Sequence, residues 1–152
     1  MKKTIFPRVL SLLLIFVLCT SLFVGCNKAE VSEKGFCTVV LDGSPATEYR
    51  VNLDDVPGDQ GLLSVLEYLK TAEGLTYAES GGMLSQVGNV KQDTANGVYL
   101  YIWTSVEKDF DVSQYASTKT YGNLTLTSSG VGATQMTLEK DAVIYIGTIV
   151  WS

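Results

Sequence analysis

The feature that most constrains this chain is an uncharged apolar run near its amino terminus, VLSLLLIFVLCTSLFVG, from Val9 to Gly25. It follows the basic start Met1-Lys2-Lys3. A basic start before such a run is typical of a secretory signal peptide, and the run is short for a membrane-spanning helix. We therefore expect residues 1–25 to direct export. Only the 127 residues that follow, of 152 in all, are then available to fold, which is enough for one domain.

The apolar run ends at Leu22-Phe23-Val24-Gly25-Cys26. A small residue directly before a cysteine resembles the lipobox of bacterial lipoproteins, with Phe23 where Leu is usual. The resemblance implies cleavage before Cys26 and lipid attachment to its thiol, an anchor that is effectively permanent because each buried methylene contributes about 0.8 kcal/mol. The alternative is an uncleaved membrane anchor. In either case, residues 26–34 form a polar tether, and we expect the domain at the bacterial cell membrane, facing outside.

Charge and histidine content exclude several functional classes. The leader holds three of the eleven basic and none of the sixteen acidic side chains, so the rest of the chain has a net charge of −8. A nucleic-acid binder needs a concentrated cationic face, which eight scattered basic residues do not suggest. The chain contains no histidine, which removes Ser-His-Asp and Cys-His catalysis and His-ligated zinc. We therefore expect a non-catalytic domain that has no resident cofactor and does not bind nucleic acid.

The three cysteines do not suggest a disulfide framework. Cys19 lies in the leader, Cys26 is the predicted lipidation site, and Cys37 is left without a partner. Because Cys37 lies in an apolar stretch, we expect it to be a small core residue. The domain must then fold by its hydrophobic core alone.

Hydrophobic patterning predicts one helix among several strands. Phe36–Leu41 and Glu48–Leu53 predict a β-hairpin, and the helical spacing of LLSVLEYLKTA predicts a helix that ends near Gly74. Further strands are predicted at Met83–Val90, Val98–Val106, Tyr121–Thr127 and Ala142–Trp151, with loops at Leu75–Gly82, Glu107–Thr120 and Gly130–Asp141. This order predicts an α+β fold with one helix on one face of a mainly antiparallel or mixed sheet, and its ββα start is what a β-grasp fold would show.

Four segments carry a resemblance to a known family. They are the helix 62–70 (LLSVLEYLK), the aromatic strand 97–103 (GVYLYIW), the segment 130–144 before the last strand, and the ending 149–152 (IVWS). In this order they resemble the transcobalamin-like C-terminal domain, which occurs on bacterial surface proteins and as the small β-domain of the animal cobalamin carriers. The resemblance covers residues 35–152, with Lys140-Asp141 where Gly-Asp is usual.

The resemblance implies a β-grasp-like domain that contacts a corrinoid. The carriers touch the corrin from the aromatic strand and the loop after it. By position, this points to Leu100, Tyr101, Ile102 and the start of the 107–115 loop. In the carriers a large helical domain supplies the other half of the cobalamin site, and we do not expect that domain within these 152 residues.

The pattern of the aromatic strand also suggests a binding surface, independently of the resemblance. Tyr99, Tyr101 and Trp103 alternate, so they share one face, and Leu100 and Ile102 lie on the other. If the helix covers the Leu/Ile face, the three rings line the opposite face, where they would suit a flat ligand or a sugar. The alternative is that the rings form the core face or simply cover the sheet.

These observations predict a lipid-anchored extracellular binding domain that contacts a planar ligand, such as a corrinoid, through Tyr99, Leu100, Tyr101, Ile102 and Trp103. One alternative is a structural or adhesive module that engages another surface protein through a sheet edge. A second alternative is the binding of calcium or another metal, although the acidic loops 54–59 and 107–111 lack the ligand spacing of a calcium loop and are expected to be solvated.

Overall fold

The structure, a computed structural model, describes residues 32–151. The predicted signal peptide, Cys26 and the tether up to Val31 lie outside the described residues. Within residues 32–151 the fold is α+β, with a mixed six-stranded sheet, a three-stranded sheet and one α-helix. The elements are β1 (Phe36–Leu41), β2 (Thr47–Asn52), α1 (Gly61–Glu73), β3 (Tyr77–Ser80), β4 (Met83–Val87), β5 (Val90–Lys91), β6 (Val98–Thr104), β7 (Thr118–Tyr121), β8 (Leu124–Ser128) and β9 (Val143–Val150), with short 3-10 turns at Thr94–Asn96 and Glu107–Asp109.

The large sheet has the strand order β2-β1-β9-β6-β8-β7, and β3-β4-β5 form the small sheet. The pairing of β1 with β9 is parallel, and the other pairings of the large sheet are antiparallel. β9 lies between β1 and β6, and its sequence VIYIGTIV is buried over its first five residues. A strand covered on both faces needs such a continuous apolar run rather than an alternating one.

Helix α1 covers one face of the large sheet, here called the first face. Its buried side chains recur at helical spacing: Leu62, Val65, Leu66 and Leu69. The helix ends at Gly74, which is in the left-handed conformation. The helix packs on a core that includes Val39 and Leu41 of β1 and Ile144 and Ile146 of β9. The predicted helix and its end near Gly74 are therefore confirmed.

Cys37 lies in this same core at 1% exposure, which confirms its prediction as a core residue. Burial raises the pKa of its thiol to about 11. The thiolate is the reactive form of cysteine, so this side chain is chemically inert in the folded domain.

A second core lies on the other face of the sheet, here called the second face. It contains Val40, Trp103, Leu126, Val143 and Tyr145. Four strand spacings separate β7 from β1 in the sheet order, which is about 19 Å in a flat sheet. Yet Lys119 of β7 lies 3.4 Å from Asp42, the residue directly after β1. The β7–β8 hairpin must therefore fold back over the second face, and this buries the second core.

The chain enters the domain beside the loop that follows β2. The Ser32 hydroxyl donates to the Asp54 carboxylate at 2.7 Å, and the backbone N–H groups of Glu33 and Lys34 donate to the same carboxylate at 2.7 and 3.2 Å. These contacts hold the last residues of the predicted tether against the domain at the end of the sheet where β1 begins.

Two strands lie in segments that the sequence predicts as loops. β3 occupies Tyr77–Ser80 within the predicted 75–82 loop, and β7 occupies Thr118–Tyr121 at the end of the predicted 107–120 loop. Those two parts of the loop predictions are wrong, because both strands are polar and owe their form to hairpin partners. The predicted strand Tyr121–Thr127 is likewise divided, since Tyr121 pairs with Leu124 across the two-residue loop 122–123.

The start of α1 depends on a glycine with no room for a side chain. Gly61 has φ +51°, and a Cβ there would lie 2.6 Å from the Met136 carbonyl oxygen and 2.8 Å from that of Ala133. Gly74 has φ +70°, but a Cβ there would meet nothing within 4 Å. We expect Gly74→Ala to lower the free energy of unfolding by about 1 kcal/mol through backbone strain alone. Gly61→Ala should lower it by about 3 kcal/mol, because backbone atoms must also move.

Urea unfolding followed by circular dichroism measures both losses, with Gly74→Ala as the matched control. Equal losses in the two variants would show that contact with the 133–136 segment does not constrain Gly61.

Candidate functional site

Strand β6 carries the five side chains that the sequence predicts as ligand contacts, and the structure divides them between two faces. Leu100 and Ile102 pack against the core that lies between α1 and the large sheet. Tyr101 packs against the second core and Trp103 belongs to it. The helix therefore covers the Leu/Ile face, and the aromatic side chains lie on the opposite face.

On the first face, β6 forms one wall of an open cleft of about 280 Å³. The opposite wall comes from the start of β4 and from the loop after β8. The lining residues are Gly82, Met83, Leu84, Leu100, Tyr101, Ile102, Ser129, Val131, Gly132 and Ala133. Met83, one of these lining residues, is 77% exposed.

Hydrogen bonds fix the loop wall of this cleft. The Ser129 N–H donates to the Ile102 carbonyl at 2.8 Å, which attaches the loop to β6. The Ser129 hydroxyl donates to the Val131 carbonyl at 2.9 Å. Further along the loop, the buried carboxylate of Asp109 accepts bonds from the Thr137 N–H at 2.6 Å and the Thr137 hydroxyl at 3.0 Å. The bond from Ser129 thus holds the start of this wall against β6.

The chemistry of the cleft favours apolar contact over ionic contact. None of its lining residues is charged, and the Ser129 hydroxyl is engaged within the loop. Its volume lies just below the range of about 300–1,000 Å³ that is usual for small-molecule sites. A ligand larger than this volume would lie partly outside the cleft.

On the second face, Trp103 is enclosed rather than open. It is 3% exposed, and its indole Nε1 donates to the Ser117 hydroxyl at 3.0 Å. The Lys119 ammonium lies 5.5 Å from the centre of the Trp103 ring and 4.7 Å from that of Tyr145. Trp103 and Tyr145 thus fill the space under the β7–β8 hairpin, as in the alternative in which the rings cover the sheet.

A hydrogen bond and an ion pair close this arrangement. The Tyr145 hydroxyl donates to the Asp42 carboxylate at 2.6 Å, and Lys119 pairs with the other oxygen of Asp42. Burial raises the pKa of Tyr145 to about 12, with help from the hydrogen bond to Asp42. For Asp42, burial works against ionisation, but the bond from Tyr145 and the charge of Lys119 outweigh it, so the pKa of this carboxyl is lowered.

The other predicted positions do not line the cleft. Tyr99 is 40% exposed on the second face, and the 107–115 loop does not line the cleft. Cys26 lies outside the described residues. Sequence reasoning missed Met83 and the loop around Val131, because a side chain's contribution to a cleft depends on contacts far apart in the chain. The Gly-Val-Gly sequence at 130–132, typical of a close-packed loop, was the available signal.

The chain matches no protein-family model, and no curated protein sequence matches it significantly. The helix of the described region is too short and too polar to cross a membrane. Among residues 32–151, no three His, Cys, Asp or Glu side chains are grouped so that they could hold a metal ion.

The raised pKa of Tyr145 can be observed directly. The absorbance of tyrosinate near 295 nm should rise in a pH titration with a late component near pH 12. Tyr145→Phe should remove that component, whereas Tyr99→Phe, at an exposed tyrosine, should leave it in place. The pKa of Tyr145 is about 10 in the unfolded chain and about 12 in the folded domain. The folded wild type should therefore lose stability as the pH rises from about 10 to about 12. An unchanged late component in Tyr145→Phe would contradict the assignment.

Proposed function

We propose that this chain is a lipid-anchored, non-catalytic binding domain of the bacterial cell surface. Its ligand site is the cleft beside β6, and its ligand is a planar molecule such as a corrinoid. The observation that carries this proposal is the place of Leu100 and Ile102, two residues at which the resemblance implies contact with the ligand. Both side chains lie on the first face and both residues line one uncharged cleft, whereas the Tyr101 side chain lies on the second face.

The finer fold assignment belongs to the same proposal. We take the domain as a β-grasp variant of the transcobalamin-like C-terminal type. Three features support this: the β1–β2 hairpin leads directly into α1, the first and last strands pair in parallel at the centre of the sheet, and β6 lies antiparallel beside β9. A parallel pair needs a crossover, and here the helix and the small sheet lie on the path between β1 and β9.

The size of the cleft supports a shared site rather than a complete one. A volume of about 280 Å³ cannot enclose a whole corrinoid. High affinity would therefore need a second protein surface on the far side of the ligand. This arrangement agrees with the resemblance, in which the small domain supplies half of the site.

The alternative of a structural or adhesive module depends on an open sheet edge. The edge strand β2 pairs only with β1. Glu48 and Arg50 of β2 are exposed, and charged side chains on an edge strand disfavour the addition of another strand. The β2 edge is therefore a poor docking site for a further strand.

Equilibrium dialysis of the full-length chain in detergent micelles against hydroxocobalamin tests the ligand assignment. We expect measurable binding, since contact with the corrinoid would cover Leu100 and Ile102. Met83→Ala should weaken it by about three- to tenfold, because it removes apolar area beside the ligand.

Val112→Ala is the matched control, since Val112 is 97% exposed and does not line the cleft. Its affinity should equal that of the wild type. No bound corrinoid at millimolar concentration would reject the corrinoid ligand, and equal weakening in both variants would reject the cleft as its site.

The anchor can be tested separately by metabolic labelling in a bacterial host with a clickable fatty acid. We expect the wild type to incorporate the label and to partition with membranes. Cys26→Ala should abolish labelling, because it removes the thiol that accepts the lipid. Cys19→Ala serves as the control and should label normally; loss of label in that variant, or its retention in Cys26→Ala, would contradict the assignment.

A further inference from the structure

The Lys119 side chain places its ammonium group among two aromatic rings and a carboxylate. The ammonium lies 4.7 Å from the centre of the Tyr145 ring and 5.5 Å from that of the Trp103 ring. The Asp42 carboxylate lies 3.4 Å from the same ammonium. Ring faces attract a cation through their quadrupole, and a carboxylate attracts it through its charge. We call Asp42, Trp103 and Tyr145 the cation cage.

The members of the cage come from a different part of the sheet than the cation does. Trp103 of β6 pairs directly with Tyr145 of β9, and the two rings lie 6.1 Å apart with an angle of 78° between their planes. The Tyr145 hydroxyl donates to the Asp42 carboxylate at 2.6 Å and so holds this group beside the rings. The cage is therefore formed by β6, β9 and the residue after β1, whereas Lys119 of β7 supplies the cation.

A glycine leaves room for the members of the cage to meet. Gly147 follows Tyr145 by two residues on β9, so it lies on the same face of the sheet. A Cβ at Gly147 would lie 3.1 Å from the Oδ2 atom of Asp42 and 3.3 Å from the Trp103 ring. Its backbone is not in the left-handed region, so the conformation does not require glycine there. The space at Gly147 thus serves the close approach of the carboxylate and the indole.

Solvent reaches the ion pair but not the rings beneath it. The Lys119 side chain is 32% exposed and that of Asp42 37%, whereas Trp103 is 3% exposed and Tyr145 6%. An ion pair that is partly solvated contributes little to stability. A dissolved cation that can make the same contacts with the rings and the carboxylate can therefore compete with Lys119.

We propose that the cation cage is a binding site for a small organic cation of the alkylammonium class, and that Lys119 is the internal ligand that closes it. The observed occupant indicates the chemistry of the ligand, because the Lys119 side chain itself ends in an alkylammonium group. A methylated ammonium keeps the charge for Asp42 and presents methyl groups to the ring faces. This site lies on the face of the sheet opposite the cleft, so it does not depend on the corrinoid proposal.

Entry of a cation would change the contacts of the β7–β8 hairpin. β8 pairs with β6 through Trp103 and Thr104, near one end of the hairpin strands. The ion pair of Lys119 with Asp42 attaches β7 across the second face. A cation that takes the place of the Lys119 ammonium would break this second attachment and leave the first in place.

Thermal unfolding of the full-length chain in a neutral maltoside detergent, followed by circular dichroism, tests the proposal with choline as the probe. Lys119→Ala empties the cage, and we expect about 100 mM choline chloride to raise the melting temperature of this variant by about 3–5 °C. The wild type should need about tenfold more choline for the same rise, because choline must first displace Lys119.

Two solutes and two variants serve as controls. Sodium chloride tests for charge screening, and 3,3-dimethylbutan-1-ol, the neutral carbon analogue of choline, tests for apolar contact; neither should stabilise Lys119→Ala. Lys108→Ala is the matched variant, since Lys108 forms its 3.1 Å ion pair with Glu139 instead of the cage. It should respond to choline as the wild type does. Asp42→Asn added to Lys119→Ala should remove the response, because the charge of the carboxylate is lost.

The proposal is overturned if choline does not stabilise Lys119→Ala, if either control solute stabilises it equally, or if Lys108→Ala responds as strongly. Should Lys119→Ala be unfolded, Lys119→Thr takes its place, since threonine is favoured in strands. Failure of choline to restore folding to both variants would also reject the proposal. Met83→Ala should leave the response to choline unchanged, so failure at the cage and failure at the cleft give different patterns.

Discussion

The parallel pairing of β1 with β9 is the contact on which the rest of the structure depends. It joins strands more than one hundred residues apart and places the most apolar strand of the domain at the centre of the large sheet. With β6 on its other side, β9 contributes Ile144 and Ile146 to the core under the helix and Tyr145 to the core under the β7–β8 hairpin. Both faces of the domain are therefore organised around one strand, and neither core could form before the last part of the chain is in place.

The elements with strong apolar patterns could be predicted from the sequence, and the polar ones could not. β1, β6, β9 and α1 owe their form to side chains that must be buried, so their residues carry the signal. β3 and β7 are polar strands whose form comes from a partner strand and a two-residue glycine loop. The Gly-Asn loop at 122–123 is a usable hairpin signal, and the threonines and tyrosine of TKTY favour a strand, whereas YAES carries a weaker strand signal.

The candidate site shows a similar limit. Alternation along β6 correctly separates Leu100 and Ile102 from Tyr101 and Trp103. It cannot foresee that a hairpin some twenty residues later folds back and encloses Trp103, since that depends on Lys119 reaching Asp42 across the sheet. The cleft on the first face is likewise completed by Met83 and the loop after β8, which only the tertiary fold brings beside β6. The local sequence pattern thus predicts which side chains of β6 share a face. Contacts between distant segments decide which of the two faces is exposed to solvent.

The hydrogen bonds from residues 32–34 to the Asp54 carboxylate have a mechanical consequence. A load applied through residues 32–34 enters the domain next to the first residue of β1, and a load applied at Trp151 enters next to the last residue of β9. These two points lie at opposite ends of adjacent parallel strands, so tension between them acts along the strands. The backbone hydrogen bonds between β1 and β9 would then share the force together instead of opening one after another. A domain loaded at these two points would resist mechanical unfolding.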